Sequence, residues 1–180
     1  MVRDRARKQD LAVVFTSDHG EVVSRKGRGH GRDLRERATR IPLMVQARDY
    51  RPGRYAPVAS LVDIFPTVLG LTGTPIPDGL DGIDLHRIVM GEPEVAQRQL
   101  ITETWRLDRN GERRTDKVAA FDGRLKLTWD LRTEARSLRR QTRIEKRSQN
   151  LLGHPGHDPR SLHEALERYL EECGGLRLVD

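Results

Sequence analysis

The sequence predicts an α/β fold with a small antiparallel region towards its carboxyl end, and three stretches carry that expectation. Leu11 to Phe15 is an apolar run without alternation, as in a strand buried on both faces within an α/β sheet. Ser60 to Leu71 sets Leu61, Ile64, Phe65, Val68 and Leu69 at helical spacing. Asp122-Gly123 separates two short apolar runs, Val118 to Phe121 and Leu125 to Trp129, as a hairpin turn does.

Composition bounds the function classes. A chain of 180 residues has room for one domain with a small subdomain. With 36% hydrophobic and 33% charged residues, its core must be lean and its surface crowded with charge. The balance of 33 Lys+Arg against 27 Asp+Glu gives +6, which favours anionic partners. Arg and Glu are interspersed, however, and that pattern reads as a solvated, ion-paired surface rather than a nucleic-acid arm. Cys173 is the only cysteine, so no intramolecular disulfide forms and the redox compartment stays open. No apolar run approaches the ~20 residues that span a bilayer. The charged start, Met1 to Lys8, has no signal-peptide core.

Residues 2 to 9 read as the basic last turn of a helix, and Asp10 leads into the first strand. That strand ends in Asp18-His19-Gly20. In open α/β sheets ligands sit just beyond the carboxyl ends of strands. Neighbouring strand residues point to opposite faces, so Asp18 and His19 share a ligand only if they lie on the turn that Gly20 permits. Carboxylate with imidazole makes half of a divalent metal site; a capping Asp beside a surface His is the plainer reading. Val22 to Thr39 reads as a long polar loop in which His30 stands between two glycines, close to any ligand or simply on the surface. Ile41 to Val45 is a second buried strand, and Arg40 before it is a surface charge or a brace for the loop.

Ser60 and Asp63 form a capping pattern, which makes Asp63 a cap rather than a catalyst. Pro66 restarts the first turns of that helix, and Gly73 and Pro75 end it. Turn-rich residues 74 to 84 lead to a short helix over Leu85 to Met90. After Pro93, Leu100 to Thr104 adds a strand to the hairpin, and the basic stretch Glu134 to Arg147 reads as a solvated connection. Asp158-Pro159 opens a last helix. Leu162, Leu166, Tyr169, Leu170 and Cys173 form its buried stripe, Gly174-Gly175 ends it, and His154, His157 and His163 read as surface residues.

Several of these segments, in this order, resemble the sulfatase family within the alkaline phosphatase superfamily. They are Ser17-Asp18-His19-Gly20-Glu21, Gly29-His30-Gly31, Arg40-Ile41-Pro42-Leu43 and Asp63-Ile64-Phe65-Pro66-Thr67-Val68-Leu69. Phe121 to Leu127 resembles the small antiparallel carboxyl-terminal subdomain of that family. The resemblance implies the carboxyl-terminal portion of an alkaline-phosphatase-like α/β/α sandwich over residues 1–97. A small subdomain of antiparallel strands and a terminal helix follows over 98–180.

It also implies a metal-dependent hydrolase of sulfate esters. Asp18 and His19 would bind one divalent ion (Ca, Mg, Mn or Zn), His30 would contact the substrate or leaving group, and Arg40 would support the loop. The family's nucleophile motif, C/S-x-P-S/A-R, is absent from this sequence, so the catalytic half-site needs a missing amino-terminal half or a separate chain. A phosphodiesterase or phosphoglycerol transferase of the same superfamily is the alternative, as is a non-catalytic remnant binding anions or nucleic acid. A sheet lacking its neighbouring strands would leave edges and apolar faces exposed, so poor solubility of the isolated chain is expected.

Overall fold

In a computed structural model, the described residues are 11–24, 27–29, 33–55, 58–92, 98–107, 109–141 and 149–173. The expectations for residues 2–9, His30 and Gly174-Gly175 lie outside them. The chain divides into two compact units, Met1–Asp18 with Ile41–Arg98 and His19–Arg40 with Gln99–Asp180. No helix among the described residues is long and apolar enough to cross a membrane.

In the first unit, β1 (Val13–Thr16) pairs antiparallel with β4 (Leu43–Gln46), Val14 opposite Val45 and Phe15 opposite Met44. The Thr16 hydroxyl donates to the carbonyl of Pro42 at 2.9 Å, closing the end of the ribbon. Both strands form where the apolar runs lie, but the expectation that they are buried is corrected. Phe15 is 54% exposed and Met44 58%, because among the described residues each strand pairs only with the other.

Leu61–Asp63 is a turn of 3-10 helix that runs into α2 (Ile64–Thr72). Ser60 and Asp63 form the expected capping box, Ser60 N–H donating to Asp63 Oδ2 at 2.7 Å. Pro66 sits in the first turn, where a missing N–H costs nothing. Gly73 ends the helix at φ 65°, a left-handed position that favours glycine.

The predicted apolar face of α2 is corrected too. Phe65 and Val68 are exposed, whereas Asp63, Pro66 and Thr67 are buried. The reason is that the polar side grips the next loop. Asp63 Oδ1 accepts from Ile83 N–H at 3.0 Å, and Thr67 Oγ1 accepts from Leu85 N–H at 2.9 Å. A Cβ on Gly70 would fall 2.2 Å from Asp84 Oδ2, so a side chain there would displace the Asp84 carboxylate. Buried backbone donators of an irregular loop need acceptors, and α2 supplies them. Arg98 completes the cluster by pairing with the buried carboxylate of Asp63. Asp84 caps α3 (Leu85–Val89), accepting from His86 N–H at 2.8 Å.

In the second unit, residues 22–39 are not a featureless loop. They hold a small hairpin, β2 (Val22–Ser24) with β3 (Gly27–Gly29), and a single helical turn, α1 (Glu36–Thr39). The main body is a four-stranded antiparallel meander of β5 (Leu100–Leu107), β6 (Arg113–Phe121), β7 (Leu125–Asp130) and β8 (Arg136–Arg140). The β6–β7 turn is the expected one: Asp122 Oδ1 accepts from Arg124 and Leu125 N–H groups, and Gly123 takes φ 95°.

Against one face of this sheet lies α4 (Arg160–Glu172). Period-two residues Val118, Ala120, Leu125, Leu127, Trp129 and Leu138 meet helical residues Leu162, Leu166 and Leu170 in the core. Three expectations are revised here. The basic connection after Glu134 contains β8, whose Leu138 is fully buried; Cys173 is exposed at the helix end; and His163 stacks on Trp129, ring centroids 5.7 Å apart.

Candidate functional site

The segment that ends β1 carries the first candidate groups. Asp18 is exposed, and the Ser17 hydroxyl donates to its Oδ1 at 3.4 Å. His19 is exposed as well, with Nδ1 2.9 Å from the carbonyl oxygen of Gly20. A carbonyl only accepts, so this contact places a ring proton on Nδ1 and leaves Nε2 as the atom through which such an imidazole would ligate a metal. The boundary between the two compact units falls between Asp18 and His19.

Gly20 explains why the chain turns here. Its N–H donates to the carbonyl of Ala38 at 2.8 Å. A Cβ at this position would lie 2.0 Å from the carbonyl oxygen of Arg37, so no other residue can come so close to α1. The turn after His19 is therefore seated on α1, and α1 must itself be held. Four residues cannot sustain a helix alone.

Three features hold it. Leu34 and Ala38 are buried. Asp33 and Arg35 close the entry: Asp33 Oδ1 accepts from Arg35 N–H at 2.8 Å and from Arg35 Nε at 2.9 Å. Burial pushes the Asp33 carboxyl up, but the Arg35 hydrogen bonds and charge outweigh that and hold it below the usual carboxylate range. The third feature is Lys126 of β7, only 7% exposed, whose Nζ donates to Leu34 O at 2.5 Å and to Thr39 Oγ1 at 2.8 Å.

Of the remaining sequence candidates, Arg40 caps the carboxyl end of α1, and its Nη1 lies 3.5 Å from Glu36 Oε2. His30 lies outside the described residues. Lys126 was legible only as part of the Phe121 to Leu127 stretch. A lysine between Leu125 and Leu127 was the available signal.

A carboxylate and an imidazole fit part of a divalent metal site by donor chemistry, and the Nδ1 contact suits ligation through Nε2. Among the described residues no group of three or more His, Cys, Asp or Glu side chains gathers as a metal cluster. The two donors thus account for part of a coordination shell, and further ligands would have to join them.

Comparison with known proteins bears on the same segment. Residues 1–74 match the family model "Sulfatase". Arylsulfatase K of Xenopus laevis is 38% identical over 74 residues, 41% of this chain and 14% of that protein. Arylsulfatase K of Homo sapiens is 33% identical over 78 residues, 43% of this chain and 15% of that protein. The matched stretch therefore spans only about one seventh of the curated relatives.

Among solved structures, BT4656 in complex with its substrate D-glucosamine-2-N,6-O-disulfate superposes with a TM-score of 0.70 at 17% identity, covering 95% of this chain and 37% of that one. The phosphonate monoester hydrolase SpPMH from Silicibacter pomeroyi gives 0.70 at 22% identity, covering 99% and 37%. At these identities the likeness establishes the fold, an alkaline-phosphatase-like α/β fold with a small antiparallel subdomain.

Proposed function

We propose, from the premise that this chain belongs to the sulfatase family, that it forms the carboxyl-terminal part of a metal-dependent hydrolase of sulfate esters. The observation that carries the reading is the His19 turn: an imidazole with Nδ1 on a carbonyl, directly after a carboxylate at the end of β1. In this reading Asp18 and His19 are two ligands of one divalent ion. When bound, such an ion drains negative charge from the ester oxygens and helps orient the attacking group.

The chain's own residues supply the rest of this half-site. Asp18 brings a negative charge that attracts the cation, and His19 orients through Gly20. His30 contacts the anionic substrate or the departing oxygen, where a hydrogen-bond donor stabilises developing charge. Arg40 supports the loop from the end of α1. The nucleophile and the other acidic ligands come from a further segment of a longer chain or from a separate polypeptide, since the sequence here lacks the C/S-x-P-S/A-R motif.

A second reading has its own support. The likeness to SpPMH covers 99% of this chain, and that protein is named for phosphonate monoesters. The test is to assay the native protein that carries this chain on 4-nitrophenyl sulfate and on 4-nitrophenyl phenylphosphonate, with and without Asp18→Ala. Sulfate turnover that falls at least ~100-fold in the variant supports the sulfatase reading. Turnover of the phosphonate alone supports the second. Wild-type turnover of neither ester, with salt-sensitive DNA binding indifferent to the substitution, would leave a binding module instead.

A further inference from the structure

We infer that Lys126 is a positioning residue for the His19 turn, so that the small antiparallel sheet is a working part of the site rather than an appendage. This rests on the reading of His19 as a metal ligand, and it adds a residue on a distant strand to that reading.

The chain of contacts is short and lies within one compact unit. Lys126 Nζ donates to Leu34 O, just before α1, and to Thr39 Oγ1 in the last residue of α1. One ammonium group thus ties both ends of a single helical turn. The Thr39 hydroxyl, while accepting from Lys126, donates to Arg35 O at 3.3 Å and passes the restraint back along the turn. Between those ends, Ala38 O accepts from Gly20 N–H. Gly20 O in turn accepts from His19 Nδ1 and sets the imidazole.

Two considerations separate this from ordinary packing. A buried ammonium is expensive unless it is hydrogen-bonded, and an apolar residue would fill a strand position between Leu125 and Leu127 at no such cost. Lys126 also projects from the face opposite to the one that Leu125 and Leu127 give to the α4 core. What a lysine adds there is a set of donors aimed at an oxygen-rich turn. Loosening that turn lets Gly20 lift from the Arg37 carbonyl and releases the aim of His19.

The experiment compares Lys126→Met, Lys126→Arg and wild type in the native protein that carries this chain, by amide hydrogen exchange and by titration of the metal-free protein with Mn2+ alone. The methionine variant keeps the stem and removes the donors. The expected result is exchange of the Gly20 amide about 10-fold faster, with Val118 and Leu127 amides in the sheet unchanged. Mn2+ affinity is expected to fall about 10-fold, as for loss of a group that orients a ligand. Lys126→Arg, which still donates to two oxygens, should restore both.

Unchanged Gly20 exchange in Lys126→Met overturns the proposal, and so does equal acceleration across the whole sheet. If Lys126→Met fails to fold, Thr39→Val, which removes one acceptor, must show the same local pattern at smaller size; an unaltered Gly20 amide there also overturns it. His19→Ala separates the two ideas. If it leaves Mn2+ binding intact, the metal reading fails while Gly20 exchange still decides the brace. If it weakens Mn2+ binding and Lys126→Met does not, the positioning role is overturned.

Discussion

The two compact units are held together by different means. In the second, a period-two sheet face and a helical stripe interlock, and the core around Leu127, Leu138 and Leu166 is almost wholly apolar. In the first, polar groups are buried beside Pro66: Asp63 and Thr67, which accept from the Ile83 and Leu85 N–H groups, and Asp84, while Phe15, Met44, Phe65 and Val68 remain exposed. The difference teaches that exposed apolar surface in the first unit is not a failure of local structure. Its helix and ribbon are fixed by hydrogen bonds and an ion pair, which leaves their apolar faces available to cover or be covered.

Three substitutions sharpen the contrast, in decreasing order of effect. Asp63→Asn should destabilise the first unit by about 3–5 kcal/mol, because Arg98 loses the charge that pairs it in a buried setting. Denaturant unfolding followed by amide exchange near Ile83 would measure it, and a loss below 1 kcal/mol would refute the polar-clasp account. In the second unit, Leu138→Ala should cost about 2–5 kcal/mol through a cavity under α4. The matching change Phe15→Ala in the first unit should stay within about 0.5 kcal/mol. Equal losses at both positions would erase the contrast.

Another small effect, this one dependent on pH, is at the entry to α1. Asp33 has its carboxyl held below the ordinary value of 3.8, with burial opposing and Arg35 prevailing. A depressed carboxylate contributes stability that is complete above about pH 3.8 and fades as pH drops through the still lower folded value. Asp33→Asn should therefore remove that acid-dependent component, about 0.2–1 kcal/mol for a pair so exposed, and leave a flatter profile below pH 4. An acid limb identical to that of the wild type would rule out the Asp33–Arg35 fork as its source.

Much of this was legible in the residues, and the rest failed for physical reasons. Leu11 to Phe15, Asp122-Gly123 and Asp158-Pro159 declare themselves because strand runs, hairpin turns and helix starts are local. The face of α2 did not, since periodicity sees Phe65 and Val68 but not the hydrogen bonds that draw Asp63 and Thr67 inward. The strand β8 was hidden because Arg136-Ser137-Leu138-Arg139-Arg140 has one apolar residue, enough for a buried position on an edge strand but too little for a pattern. Asp18, His19 and Arg40 stand out by motif. Lys126 does not, because its partners are 87 and 92 positions away in sequence.

Asn150, in the segment between β8 and α4, has a consequence for how this molecule meets other copies of itself. Its Oδ1 accepts from Leu138 N–H at 2.9 Å, and the next residue, Leu151, donates its N–H to Leu138 O at 2.8 Å. Both backbone groups of Leu138 that a strand added beyond β8 would need are consumed. The meander is thereby closed to growth at the middle of this edge. At the β8 edge a neighbour is thus denied, at Leu138, the cross-strand template from which fibrillar stacking starts.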